Sequence, residues 1–307
     1  MSRLLRCGAV GLVFALVPMW PAGGWAAPAA VLAPIAPPSG VEGFGASWYT
    51  VPAADGRTMV LAVYDPRPTL DEARPAILVL HGSHGFATAY LQIAHDLAEQ
   101  TGYVVAAGCW FDGIGPDADA SNVTSIQCPG APAYAGANGG SWQAVWTLAQ
   151  AVHVYAGGAG LGLFGHERGA TVALQLASMP EFDDLTIGGV IASSGVYTAL
   201  PQATLPDAPT PLALVESLSA PVLILHGQAD TQARFSNAAL YYQRLQSLGK
   251  PAQCVVYPRA GHDAILQTAP GDPQHRVFTD GVRRSTAFFR GVFSPGASVL
   301  STDCAPG

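Results

Sequence analysis

The sequence predicts an α/β fold, a mostly parallel, doubly wound sheet of about eight strands with helices on both faces and little or no lid. Three observations carry that prediction. Short apolar runs suited to buried strands alternate along the 307 residues with longer stretches of helical periodicity. The run at 161–164 passes into the helical stretch at 168–179 through Gly165-His166-Glu167-Arg168-Gly169, a sharp turn that glycines at both ends permit. Half of the residues are apolar and only 11% are charged, which at this length suits one large core and one domain.

The elements follow in chain order. Residues 1–29 carry Arg3 and Arg6, then an apolar run, then small residues from Gly24 to Ala29, the layout of a cleaved secretory signal. Pro18 and Pro21 cut the run short of a comfortable membrane span, and Cys7 opens the run instead of closing it, which argues against a lipid-attachment site. The expectation is a secreted or periplasmic protein with no stable membrane insertion after cleavage. Residues 30–45, rich in proline, alanine and glycine, read as a linker, residues 46–294 as the domain and 295–307 as a tail. Strands are expected at 47–51, 58–64, 76–80, 103–107, 161–164, 187–192, 222–225 and 254–257, the first two as an antiparallel start. Helices are expected at 88–100, 141–155, 168–179, 235–248 and 276–293, joined to the strands by right-handed crossovers. The connection at 110–140 is long, polar and glycine-rich, the kind of loop that roofs or edges a site.

With the signal removed, Cys109, Cys128, Cys254 and Cys304 remain, an even number for an oxidising compartment. Pairing Cys109 with Cys128 closes a loop, and pairing Cys254 with Cys304 pins the tail to the last strand; the other two connectivities stay open. No close CxxC or HxxxH spacing supports a metal site. A formal net charge of −7 spread over few charged groups excludes a basic nucleic-acid footprint and a polybasic membrane patch. The partner this leaves is a small, largely uncharged molecule.

Four segments at predicted strand ends carry chemistry, where open α/β sheets place their sites. The turn 165–169 has the frame of a nucleophile elbow, with Glu167 where serine is usual. Asp230 follows the strand at 222–225 and suits an orienting acid, and His262 follows the last strand and suits a base. His81-Gly82-Ser83-His84-Gly85 follows the strand at 76–80, where backbone amides can form an oxyanion hole. In these motifs and their order, residues 51–293 resemble the α/β-hydrolases of the dienelactone hydrolase-like group. The resemblance implies hydrolysis of a carboxylic ester or lactone without metal or cofactor. It puts Glu167 at the nucleophile position, His262 and Asp230 as base and acid, and the Ser83 and Arg168 amides as oxyanion donors. Many relatives of this fold insert a lid where residues 195–220 lie; here the segment is short and proline-rich, so a fairly open site is expected.

A glutamate at the elbow stands at a helix amino end, where it should be ionised and pair with a His262 imidazolium. Its longer side chain can fold back and place one oxygen in the oxyanion hole, blocking the site. Alternatively it can attack carbon, as the elbow aspartate does in epoxide hydrolases and haloalkane dehalogenases, leaving an ester for water to cleave. A third reading is a protein that keeps the pocket for binding and has lost turnover. His84 and Trp110 are expected to contact substrate, His166 to pack under the elbow, His226 and the helix residue His153 to be structural, and Asp263 to be a solvated loop acid.

Overall fold

The computed structural model describes residues 32–53, 56–66, 72–111, 126, 128, 131, 139–182, 185–198, 209–294 and 304. The proposed signal, much of the loops at 110–140 and 195–220, and the tail apart from Cys304 lie outside them. The described residues form one nine-stranded sheet. Its strands are β1 (Ala33–Ile35), β2 (Ser47–Pro52), β3 (Thr58–Tyr64), β4 (Ala76–Leu80), β5 (Val104–Cys109), β6 (Leu161–His166), β7 (Ile187–Ser193), β8 (Val222–Gly227) and β9 (Ala252–Tyr257). They lie in the order β1-β2-β3-β5-β4-β6-β7-β8-β9. β1, β2 and β3 are antiparallel, β3 meets β5 antiparallel, and every later pairing is parallel. This is the α/β-hydrolase arrangement that the sequence predicts, with one strand more than expected. The addition lies in the stretch expected to be a linker, where Ala33, Pro34 and Ile35 pair with Thr50, Tyr49 and Trp48. Pro34 cannot donate to a ladder, which fits an outermost strand.

The central strands are continuous apolar runs because helices cover both faces. β4, Ala-Ile-Leu-Val-Leu, is buried along its whole length. On one face pack α1 (Thr88–Thr101) and α6 (His275–Phe293), and on the other α2 (Gly139–Tyr155), α3 (Arg168–Leu176) and α5 (Phe235–Ser247). A single-turn helix, α4 (Pro211–Leu214), lies before β8. α1 buries Leu91, Ala94, Leu97 and Ala98 at helical spacing and stops at Gly102, whose left-handed backbone (φ 74°) lets its amide donate to Ala98 O at 2.8 Å. α6 inserts Phe278, Val282, Phe288 and Phe289 into the sheet by the same periodicity. Each face thus holds its own core, and the carboxyl ends of β4, β6, β8 and β9 converge at one edge.

Two disulfides staple the unit. Cys109, at the end of β5, is bonded to Cys128 with Cα atoms 6.5 Å apart, and Cys254, in β9, to Cys304 with Cα atoms 5.0 Å apart. Both are the pairings expected from the sequence. No helix among the described residues is long and apolar enough to cross a membrane.

Candidate active site

The elbow is built by backbone that approaches too closely for side chains. A Cβ on Gly165 would lie 2.3 Å from Ala170 N, and one on Gly169 would lie 2.5 Å from Leu80 O. Between them Glu167 takes φ 50°, ψ −108°, a conformation that costs free energy and is held by its surroundings. Its amide donates to Ser193 O at 2.9 Å, tying the turn to β7, and its carbonyl accepts from Thr171 N at 3.1 Å as α3 begins. Turn and helix together fix the direction of residue 167.

The carboxylate folds back toward the loop after β4. Glu167 Oε2 accepts the Ser83 amide at 2.6 Å, and Oε1 lies 3.5 Å from Arg168 Nε. Ser83, expected as an oxyanion donor, is therefore engaged by the elbow side chain itself. Folded against this loop, Glu167 is only 6% exposed. The loop that presents Ser83 is braced from beneath. The Gly82 amide donates to Tyr90 Oη at 2.9 Å, and Trp110 donates from its indole to His81 O at 3.1 Å and from its amide to His81 Nε2 at 3.3 Å. Trp110 is 1% exposed and stacks on His81, supporting the loop. Burial holds the His81 imidazole down at about 3, so it stays neutral.

Asp230 and His262 meet as the chain order predicts. His262 Nδ1 lies 2.8 Å from Asp230 Oδ2, while Asp230 Oδ1 accepts the amides of Gln232 at 2.9 Å and Ala233 at 2.8 Å. Burial disfavours charge on Asp230, yet the hydrogen bond and charge of His262, the Ala233 amide and His226 outweigh it and hold the carboxyl below its usual range. The carboxylate therefore accepts from Nδ1–H and fixes the His262 tautomer. Burial also opposes charge on His262, but Asp230, then Asp263 and Glu167, outweigh it and raise the imidazole above its usual range. The surrounding carboxylates thus favour the charged form of this ring more than water does. Ser194, itself at φ 45°, donates from Oγ to His262 O at 2.7 Å and anchors the histidine loop.

Around this core the sequence reading needs revision at His153 and Asp263. His166, buried under the elbow as expected, also faces Asp263 Oδ1 with Nε2 at 3.1 Å and Ser193 Oγ with Nδ1 at 3.3 Å. Asp263 is thus a partly buried partner and not a solvated acid. Burial opposes its charge, but His166, His262 and His84 hold its carboxyl at about 2. His84, expected to face substrate, is buried, stacked on Tyr90 and within 2.8 Å of its hydroxyl. Burial first, and His166 second, push it down to about 4. His226 is structural as expected, with Nε2 2.6 Å from Ala233 O, whereas His153 is half-buried with no hydrogen-bond partner for Nδ1. Ser193, Ser194 and Tyr90 carry no motif and were invisible to sequence reasoning. A separate cleft of about 550 Å³, lined by Asp272, His275, Arg276 and Arg283 at the start of α6, includes none of these groups.

A strained acidic elbow, an Asp–His pair from later crossovers and an inward-facing loop amide, all at one edge of this sheet, define a protein of the α/β-hydrolase fold. The family model of the prolyl oligopeptidase family matches residues 206–295, a stretch that contains Asp230 and His262 but not the elbow. Among solved structures, a Klebsiella pneumoniae subsp. pneumoniae MGH 78578 protein assigned as a dienelactone hydrolase is 19% identical, with TM-score 0.62, covering 81% of this chain and 98% of its own. Esterase 2 of Thermogutta terrifontis, solved phosphorylated by paraoxon, is 15% identical with TM-score 0.63, covering 82% of this chain and 96% of its own. An esterase of Pyrobaculum calidifontis is 17% identical with TM-score 0.59, covering 88% and 87%. No curated protein matches the chain.

Proposed function

We propose that this chain is an exported, dienelactone hydrolase-like hydrolase of carboxylic esters or lactones whose elbow carboxylate holds it in a self-blocked resting state. One observation carries the reading: Glu167 Oε2 accepts the Ser83 amide at 2.6 Å, the position where a carbonyl oxygen would gain negative charge during acyl transfer. The paired Asp230 and His262 support hydrolysis, and the structural likeness to two esterases and a protein assigned as a dienelactone hydrolase fits a small ester substrate. Turnover requires the carboxylate to leave the amide. It can then attack the alkyl carbon of the ester, breaking the alkyl–oxygen bond to form a glutamyl ester and releasing the substrate's acid as a carboxylate, after which water, losing a proton to neutral His262, cleaves the glutamyl ester and restores the Glu167 carboxylate.

The same hydrogen bond favours a second reading, a protein that binds small ligands without turning them over. An ester assay separates the two. Short-chain aryl esters should be hydrolysed poorly by the native chain and at least about a hundredfold faster by Glu167→Ser, which restores a nucleophile and frees the Ser83 donor. Robust native hydrolysis with no gain in Glu167→Ser refutes the blocked state. Inactivity of both proteins, with intact fold, supports the binding protein.

A further inference from the structure

Next to the Asp230–His262 pair stands a second group of donors that hydrolysis does not use. His84 follows β4, His166 ends β6 and Asp263 follows His262, and one ligand atom from each lies within 4.8 Å of the others. We propose that His84, His166 and Asp263 bind a divalent first-row transition ion, of which Zn(II) is the best match. This goes beyond the hydrolase reading and does not depend on it.

The donor spacing is the first argument. His166 Nε2 and Asp263 Oδ1 are 3.1 Å apart, while two ligands on a tetrahedral ion at about 2.0–2.1 Å lie about 3.3 Å from each other. The outer partners are the second. His166 Nδ1 faces Ser193 Oγ at 3.3 Å, and a hydroxyl can turn to accept as readily as to donate. When the proton of neutral His166 sits on Nδ1 and is accepted by Ser193, the Nε2 lone pair is free for the ion, and no proton has to leave the ring. His84 is held in place by stacking on Tyr90 at an interplanar angle of 13° and by its hydroxyl. Two imidazoles and one carboxylate suit Zn(II) or Co(II), whereas Mg(II) and Ca(II) prefer shells of oxygen. Three protein ligands also leave one position of a tetrahedral ion for solvent.

The test uses the untagged, disulfide-intact chain, stripped with chelator and titrated with Zn(II), Co(II), Mg(II) and Ca(II) by calorimetry. One Zn(II) per chain is expected, with visible Co(II) absorption of a low-coordinate nitrogen and oxygen site and no heat from Mg(II) or Ca(II). Asp263→Asn keeps an oxygen for His166 and so protects the fold, yet it should weaken Zn(II) binding at least about tenfold, as should His84→Ala. His275→Ala, at the start of α6, should leave affinity unchanged. Circular dichroism and thermal melting establish that each variant is folded. Absence of stoichiometric binding, or equal affinity in native, Asp263→Asn and His84→Ala chains, overturns the site. So does a loss confined to His275→Ala, which would put the ion on α6.

Discussion

Residue 167 has little freedom because the turn around it allows no retreat. The backbone amide, carbonyl and both neighbouring glycines are fixed, so only the side-chain torsions of Glu167 can move its oxygens between the Ser83 amide and a substrate carbon. A displacement of about 1 Å costs on the order of a hundredfold in rate, so the extra methylene relative to aspartate matters. If the carboxylate attacks carbon, replacing His262 should stall the second step. His262→Ala treated with alkyl electrophiles should then accumulate an adduct on Glu167, located by peptide mass spectrometry. No adduct with a range of electrophiles removes the covalent route and leaves the blocked state alone. The elbow frame and the positions of Asp230 and His262 were legible because each sits in a short motif at a strand end. The Asp263–His166 contact was not, since it joins positions 97 residues apart that only the crossovers bring together.

At the scale of elements, β6, the elbow and α3 behave as one piece. Gly169→Ala would drive a methyl into Leu80 O, and because backbone cannot yield as a side-chain tip can, the expected loss is about 3 kcal/mol or more in urea unfolding. Helix α6 offers a milder, pH-dependent case. Asp280 accepts from Arg284 Nε at 2.5 Å, from Arg283 and from Tyr257 Oη of β9 at 3.1 Å. Burial opposes its charge, but these partners outweigh it and depress the carboxyl below its usual range. A depressed acid stabilises the fold above its unfolded value and loses that contribution as pH falls through its folded value. Asp280→Asn should therefore cost about 1 kcal/mol at pH 7, with the difference from the native chain shrinking on acidification below about pH 4. A constant difference across that range would show that packing, not charge, sets the effect. Strand and helix positions were readable from periodicity, and most boundaries moved by only a few residues. β1 was not, because a three-residue segment with a central proline has no period to detect and exists only through its pairing with β2.

For the molecule as a whole, the fold class was visible in the alternation of elements, while the order β3-β5-β4-β6 depends on long-range pairing that periodicity does not encode. The disulfides act at this scale. With a sequence separation of 50, the Cys254–Cys304 bond restricts the unfolded chain by up to about 4 kcal/mol, against about 3 kcal/mol for the separation of 19 between Cys109 and Cys128. Cys304→Ser with Cys254→Ser should lower the melting temperature more than the matching double change at 109 and 128; the reverse order would place the larger constraint at the loop. The longer bond has one more effect. Among the described residues β9 is an outermost strand with no neighbour on its far side, and Cys254 lies within it, so the bond fastens Cys304 to a flank of the sheet. Thiol reduction releases that fastening at a ladder rim on which a second molecule can add. Prolonged exposure to reductant should accordingly raise light scattering well before the helical signal falls, making redox environment a determinant of colloidal behaviour as well as of folding.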